Sequence, residues 1–250
     1  MGTMTRPTIR NRFFILRRDF ALLGTNEAFR HYAARLRRRM RRPDAVSMDQ
    51  NFDRRFGVDT TESSLPDDLR IRSASKKWGV HYWPTPENQF RNMLQCVQAD
   101  LRGYVFVDMG AGKGLGLLMA SEYPFKKIIG VEYSEALAAI AQKNIAAYDS
   151  QTQQCQDLTC LCADAIDFRL PPEPTVLYFY NPFQAKVMDR VIKNIERSLR
   201  DQPRDLWIIY YIPWEHRKFE RSRELRVTES NWKFCIYQSV QRMPVLSHEW

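Results

Sequence analysis

Residues 104–114 read YVFVDMGAGKG, an apolar run followed by an acidic residue and three alternating glycines. Residues 104–107 have high β-propensity and predict a strand that is buried on both faces. The following residues, 115–120 (LGLLMA), predict a helix. A strand, a glycine-rich turn and a helix form the first unit of a doubly wound, nucleotide-binding sheet. Glycines in the turn let a ligand approach the backbone closely, because no Cβ intervenes.

The spacing of the glycines argues against two common nucleotide sites. A dinucleotide-binding turn needs G-x-G-x-x-G, and neither possible frame has a glycine at the third position. This disfavours a nicotinamide oxidoreductase. A P-loop ends in G-K-[ST], but Lys113 is followed by Gly114. Asp108 would repel a pyrophosphate and suits a ligand with an ammonium group better.

Together with Asp108, the glycines complete the pattern D-x-G-x-G-x-G. This stretch resembles the first motif of the class I S-adenosylmethionine (SAM) methyltransferases. The resemblance implies an α/β fold, a doubly wound and mostly parallel seven-stranded sheet that ends in an antiparallel hairpin. It also implies that SAM is the cofactor. The residues that it assigns to cofactor binding are Asp108, Gly110, Ala111, Gly112 and Gly114.

A second acidic residue extends the resemblance. Residues 127–132 (KIIGVE) predict the next strand, with Glu132 at its carboxyl end. A carboxylate at this position can accept hydrogen bonds from both hydroxyls of a ribose, and the resemblance gives Glu132 that role. Ser134 then has the position of a helix N-cap.

The third predicted strand, residues 157–162, ends just before Asp164 and Ala165. In the methyltransferases that the chain resembles, an Asp at this place binds the exocyclic amine of adenine. The resemblance therefore adds Asp164 and its neighbour Ala165 to the cofactor site.

Residues 81–86 (HYWPTP) precede an amphipathic helix that leads into the first strand of the motif. Similar Tyr-x-Pro-Thr segments occur in class I enzymes, including protein-lysine methyltransferases, where the loop closes over the methionine end of SAM. The resemblance makes Tyr82 and Thr85 candidate cofactor contacts. The alternative is a capping turn in which Thr85 or Glu87 serves the start of the helix.

The fourth predicted strand, residues 175–180, leads into Asn181, Pro182 and Phe183. This turn resembles the [DNS]-P-P-[YFW] motif of amine-methylating members, without its second proline. By resemblance these three residues are catalytic: the Asn side chain and a carbonyl accept hydrogen bonds from the target N–H, and the aromatic ring packs on the acceptor. Asn181 is also a candidate cofactor contact. The alternative is a helix-start turn, with Asn181 as the N-cap and Pro182 in the first helical position.

The remaining elements complete the sheet. Residues 185–199 predict a helix, and residues 206–211 predict a fifth strand. Residues 223–228 and 232–238 predict the closing antiparallel hairpin. The resemblance covers about residues 80–240.

Two regions are expected along the chain. Residues 1–70 form a basic, largely helical extension and linker, in which residues 51–69 are a linker or a cap. Residues 71–250 form the methyltransferase domain.

Composition limits the functional classes. A hydrophobic content of 44% is enough for a sizeable core. No apolar run is long enough to span a bilayer, and no secretory signal is present, so a cytoplasmic location is expected. The five cysteines form no C-x-x-C pair, and the four histidines are scattered, so no metal site is expected.

The N-terminal region is strongly basic. Twelve arginines lie between Arg6 and Arg42, against only Asp19 and Glu27. Such a segment can bind RNA, an acidic protein or an anionic membrane surface. It can also be a solvated helix whose arginine stems cover apolar surface, or an organelle transit peptide.

The sequence therefore predicts a SAM-dependent methyltransferase with a protein or small-molecule acceptor, and an amine such as a protein lysine is favoured. The alternatives are an RNA methyltransferase that uses the arginine-rich N-terminus, and a non-catalytic SAM-fold module that binds RNA or a protein. The intact Asp108, glycines and Glu132 argue against the last, because a scaffold has no need of them together.

If the N-terminal region recruits RNA, deletion of residues 1–45 should abolish RNA binding and leave SAM binding intact. Binding by the full chain should weaken steeply with salt, with a slope of about −0.7 per phosphate contact on single strands. Fluorescence anisotropy across a salt series checks both points. Equal binding by the two proteins, or a flat salt response, would contradict an RNA-binding arm.

Overall fold

The computed structural model describes residues 47–61, 84–183 and 185–240, which form one seven-stranded sheet with helices on both faces. The arginine-rich residues 6–42 and Tyr82 lie outside the described residues. The strands are β1 (Val105–Met109), β2 (Lys127–Glu132), β3 (Leu158–Cys162), β4 (Thr175–Tyr180), β5 (Leu206–Tyr211), β6 (Leu225–Ser230) and β7 (Phe234–Ser239).

The strand order is β3-β2-β1-β4-β5-β7-β6. Strands β1 to β5 pair in parallel, whereas β7 runs antiparallel to both β5 and β6. The mostly parallel sheet and its closing hairpin, both predicted from the sequence, are confirmed.

Six α-helices accompany the sheet in the described part of the chain. They are α1 (Ser47–Phe56), α2 (Glu87–Leu94), α3 (Leu115–Ser121), α4 (Glu135–Ala147), α5 (Ala185–Asp201) and α6 (His216–Phe219). Helices α1 to α4 pack into the core on one face of the sheet, and α5 and α6 pack into the core on the other. None of the helices in these residues has the length and hydrophobicity to cross a membrane.

The central strands are mostly apolar because both of their faces are covered. In β4, Val176 and Tyr178 point to the face of α2 and α3, and Leu177 and Phe179 point to the face of α5. Successive side chains of a strand alternate between faces, so a strand between two helical layers needs apolar residues at every position. The predicted bounds of β4 and β5 coincide with the observed ones.

Residues 51–69 were open to interpretation as a linker or as a cap, and the described part of this stretch packs as a cap. The ring of Phe52 is 2% exposed and stacks on Tyr148 after α4, with 6.0 Å between the ring centroids. Phe56 contacts the same tyrosine, at 4.8 Å between the centroids. Helix α1 therefore belongs to the core on this face.

The parallel arrangement brings the carboxyl ends of β1, β2, β4 and β5 to one edge of the sheet. The chain leaves β1 toward β2 and β3 on one side, and returns through β4 and β5 on the other. In open α/β sheets, ligands bind at the carboxyl edge where the strand order reverses. Of the predicted site residues that the structure describes, Asp108 and Glu132 lie at the ends of β1 and β2, Thr85 lies before α2, and the others lie in the loops at this edge.

Candidate active site

The glycine-rich loop after β1 is anchored to the end of β2. Gly110 N and Ala111 N both donate to the carbonyl of Val131, at 2.9 and 3.2 Å. Gly112 N donates to Oε2 of Glu132 at 2.9 Å. Three consecutive loop residues therefore hold their conformation against the neighbouring strand, and the loop joins the two predicted acidic positions.

A close contact joins this loop to the turn after β4. Gly110 has a φ of 102°, and a Cβ at this position would lie 2.5 Å from the Cβ of Pro182. Only glycine combines this backbone conformation with this approach. The predicted cofactor residues and the predicted catalytic residues are thus brought together.

Asp108 is buried at the end of β1, beside the first turn of α3. A Cβ on Gly116 would lie 2.4 Å from its Oδ2, so the absence of a side chain there makes the space for the carboxylate. None of the described residues donates a hydrogen bond to this carboxylate. Burial, together with the negative charge of Glu132, raises the pKa of Asp108 to about 8. The site therefore holds a carboxyl group that a cationic ligand would stabilise in its charged form.

Glu132 is also buried, but its carboxylate is hydrogen-bonded. Oε1 accepts from Ser134 N and Oε2 accepts from Gly112 N, both at 2.9 Å. Burial raises the pKa of Glu132, and the backbone N–H donors partly oppose this shift. Each carboxylate oxygen can accept a second hydrogen bond. The two backbone contacts thus orient Glu132 and leave acceptor positions for the hydroxyls of a ligand.

The turn after β3 continues the site past Glu132. Ala163 N donates to the backbone carbonyl of Glu132 at 2.9 Å, and Oδ1 of Asp164 accepts from Ile166 N at 3.1 Å. Ala165 is buried. The pKa of the neighbouring Tyr133 is raised to about 12 by burial and by the charges of Glu132 and Asp164. Asp164 and Glu132 therefore lie around the same part of the sheet edge.

Thr85 approaches the site from the segment before α2. Its hydroxyl shares a 2.7 Å hydrogen bond with the hydroxyl of Tyr178, the β4 residue that pairs with Asp108. The alternative that a side chain caps this helix is wrong, because the N-cap position is Pro86 and no side chain bonds there. Thr85 is held instead by the strand that flanks Asp108.

Asn181 has the backbone of a tight turn. Its φ is 39°, and α5 begins only at Ala185, so the alternative of an N-cap at Asn181 followed by a helical Pro182 is wrong. An N-cap residue typically has an extended backbone. Phe183 packs into the core on the α5 face of the sheet.

Tyr210 on β5 fixes the side chain of Asn181. Its hydroxyl accepts a hydrogen bond from Glu215 N and donates to Oδ1 of Asn181, both at 3.3 Å. The amide of Asn181 therefore presents its oxygen to Tyr210, and the backbone N–H of Glu215 donates to the same hydroxyl. The sequence did not predict this contact, since Tyr210 is indistinguishable there from the other apolar residues of a buried strand.

The described residues contain no cluster of three His, Cys, Asp or Glu side chains that could hold a metal ion. The chemistry of the edge is thus that of two buried carboxylates, a glycine-rich loop and an oriented amide.

The strand order, with β7 antiparallel, is that of the class I methyltransferases. The chain has the class I methyltransferase fold. No family model matches the sequence, and no curated protein matches it.

Solved structures with a similar fold include the 23S rRNA methyltransferase ErmE, at 12% identity over 64% of this chain and 70% of that one, with a TM-score of 0.47. A second is an RNA methyltransferase from Salinibacter ruber in complex with S-adenosyl-L-homocysteine, at 15% identity over 65% and 97%, with a TM-score of 0.43. A third is geranyl diphosphate methyltransferase in complex with GPP and sinefungin, at 12% identity over 62% and 78%, with a TM-score of 0.45. These likenesses concern the fold alone.

Replacing Asp108 by asparagine should stabilise the protein. The raised pKa means that the folded state keeps a proton that the unfolded state loses. The contribution of Asp108 to the stability of the wild type is therefore most favourable below the ordinary Asp pKa, and it falls as the pH rises toward about 8, by about 1.4 kcal/mol per pH unit. Asp108→Asn lacks this dependence, so its melting temperature should exceed that of the wild type by a margin that grows from pH 5 to pH 8. Parallel melting curves across this range would contradict the burial argument.

Replacing Glu132 by glutamine should weaken SAM binding. The amide keeps an acceptor for one of the two backbone N–H groups and loses the charge that strengthens hydrogen bonds to ribose hydroxyls, each worth about 1.5–3 kcal/mol. We expect the dissociation constant to rise by roughly ten- to a thousand-fold. Calorimetry measures it, with folding verified by melting. An unchanged affinity would remove Glu132 from the site.

Proposed function

We propose that the chain is a SAM-dependent methyltransferase. The observation that supports this proposal most strongly is the buried carboxyl group of Asp108. Ionising this carboxyl group without a cation beside it is strongly unfavourable, which is why its pKa is raised to about 8. The ammonium group of SAM would supply the partner, in a space bordered by the glycine-rich loop. The same edge offers Glu132, already oriented, to the hydroxyls of a ribose.

The residues present fit the whole cofactor. Asp108 and the loop residues Gly110, Ala111, Gly112 and Gly114 would hold the methionine end. Glu132 would bind the ribose, and Asp164 with Ala165 would bind the adenine. Thr85, fixed by its bond to Tyr178, supports the proposal that the segment before α2 contributes to the site. The proposed contact of Tyr82 belongs to the same segment.

When bound, SAM supplies an activated methyl group, so the protein needs only to position the acceptor for in-line displacement. We assign this task to the turn of Asn181, Pro182 and Phe183. The contact between Gly110 and Pro182 sets this turn directly beside the cofactor loop. Asn181 would also border the cofactor.

The acceptor class follows from the orientation of Asn181. Its Oδ1 accepts from Tyr210 and retains a second lone pair, which can accept a hydrogen bond from a neutral amine. Such a bond turns the lone pair of the amine nitrogen away from Asn181 and toward the methyl group. We therefore favour an amine acceptor, such as a protein lysine, over a hydroxyl.

An RNA acceptor is the second candidate, and the arginine-rich residues 6–42 favour it. The experiment that separates the two is incubation of the purified chain with a cell extract and methyl-labelled SAM, followed by separation of protein, RNA and small molecules. Label in protein supports the amine proposal, and label in RNA replaces it. Label in none of them, with SAM binding intact, would indicate the non-catalytic module.

Asn181 can be tested in the same assay. Asn181→Ala should lower the methyl-transfer rate and leave SAM affinity within a few-fold, because the interaction is made with the acceptor. Alanine also tolerates the positive φ less well than asparagine, so stability should fall by about 1 kcal/mol. Asn181→Asp keeps an acceptor oxygen and should retain more of the rate than alanine. A normal rate for Asn181→Ala would argue against its role in transfer.

A further inference from the structure

Residues 52–61, here called the cap segment, lie on the glycine-rich loop. The segment comprises the end of α1 and the turn that follows it. The carboxylate of Asp53, in α1, accepts four hydrogen bonds from the backbone N–H and hydroxyl groups of Thr60 and Thr61 after the turn, at 2.6–2.9 Å. Gly57, with a φ of 66°, allows the chain to reverse between them. The backbone around Asp59 is therefore fixed.

Asp59 forms an ion pair with the loop residue Lys113. The distance between Oδ1 of Asp59 and Nζ of Lys113 is 2.7 Å. The two side chains differ in exposure, at 55% for Asp59 and 4% for Lys113. The ammonium group of Lys113 is thus buried under the cap segment, whereas the Asp59 carboxylate that balances its charge is largely exposed to solvent. A buried charge that loses its partner is strongly destabilised.

Asn144 of α4 ties the same two residues together through their backbones. Its Oδ1 accepts from Asp59 N at 2.9 Å, and its Nδ2 donates to the carbonyls of Asp59 and Lys113, at 2.7 and 2.8 Å. One buried amide therefore bridges the cap segment and the loop. Two independent contacts, one ionic and one through hydrogen bonds, hold Lys113 in place.

Lys113 lies between two glycines that have the left-handed backbone. The φ values of Gly112 and Gly114 are 56° and 88°, and Gly112 N is the group that binds Glu132. A movement of Lys113 would turn these two glycines, which have the freedom to rotate. It would thereby change both the loop and the orientation of the Glu132 carboxylate.

We infer that Asp59 is a positioning residue for the SAM site: through Lys113 and Asn144, the cap segment holds the glycine-rich loop in its binding conformation. The inference rests on the proposed function, since it concerns the affinity for SAM. It places a residue 54 positions upstream of the loop lysine in control of cofactor binding.

The test is calorimetry with SAM on the full chain and on four variants. Asp59→Asn keeps the backbone bonds to Asn144 and removes the countercharge, and we expect it to weaken SAM binding by about tenfold. Asp59→Glu keeps the charge and should retain most of the affinity. Lys113→Met removes the buried ammonium, so adding Asp59→Asn to it should change the affinity less than about twofold. This double-mutant cycle separates action through Lys113 from a general loss of stability.

Glu173→Gln is a matched control. It removes a second ion pair, with Lys126 at 3.0 Å, and should leave SAM affinity unchanged. Hydrogen exchange of the loop provides a second measurement, and it should rise in Asp59→Asn and fall back in Asp59→Glu. Equal affinity of the wild type and Asp59→Asn overturns the inference alone. The inference alone is also overturned if Asp59→Asn weakens SAM binding as much in the Lys113→Met variant as in the wild type. A wild type that binds no SAM overturns the proposed function, and this inference with it.

Discussion

The buried carboxyl group of Asp108, which is costly to ionise, determines the layout of the carboxyl edge. An ionised carboxylate inside a protein is unfavourable unless something compensates for it. Here the negative charge of Glu132 adds to the free-energy cost of ionising Asp108, and so contributes to its raised pKa. The fold nevertheless provides the space, through the missing Cβ of Gly116. A buried carboxyl group with a strongly raised pKa lowers the stability of the fold. Such groups are characteristic of binding sites.

The contact between Gly110 and Pro182 explains how this charge relates to the rest of the site. The loops after β1 and β4 meet where the strand order reverses, and there the side chain of Pro182 lies against Gly110. A ligand bound along the glycine-rich loop therefore ends beside the turn that carries Asn181. The spatial relation between the two predicted motifs is set by the contact of the Gly110 backbone with the rigid ring of Pro182.

The sheet and the acidic positions could be predicted from the sequence because both depend on local patterns. Strands between two helical layers are continuous apolar runs, which is why the bounds of β4 and β5 were found. Glu132 was identifiable because it ends such a run.

Contacts between distant side chains left no such pattern. The bond between Tyr210 and Asn181 spans 29 residues, and the ion pair between Asp59 and Lys113 spans 54. Neither recurs with a helical or strand period. The interpretation of Asn181 as a helix cap failed for a related reason: Asn is favoured at N-caps and also tolerates the left-handed backbone, and the sequence does not distinguish the two.

A second non-glycine residue with a left-handed backbone, Ile212, follows β5. Through it the closing hairpin influences the site. Ile212 has a φ of 54°, an unusual conformation for a β-branched residue, at a cost of about 1–3 kcal/mol. Its N–H donates to the carbonyl of Lys233 at 2.7 Å, so the turn before β7 holds it there. The chain then returns toward β5, where Glu215 N donates to the hydroxyl of Tyr210, the group that donates to Oδ1 of Asn181. The orientation of the Asn181 amide therefore depends on the antiparallel end of the sheet, although no residue of the hairpin lies in the proposed cofactor site.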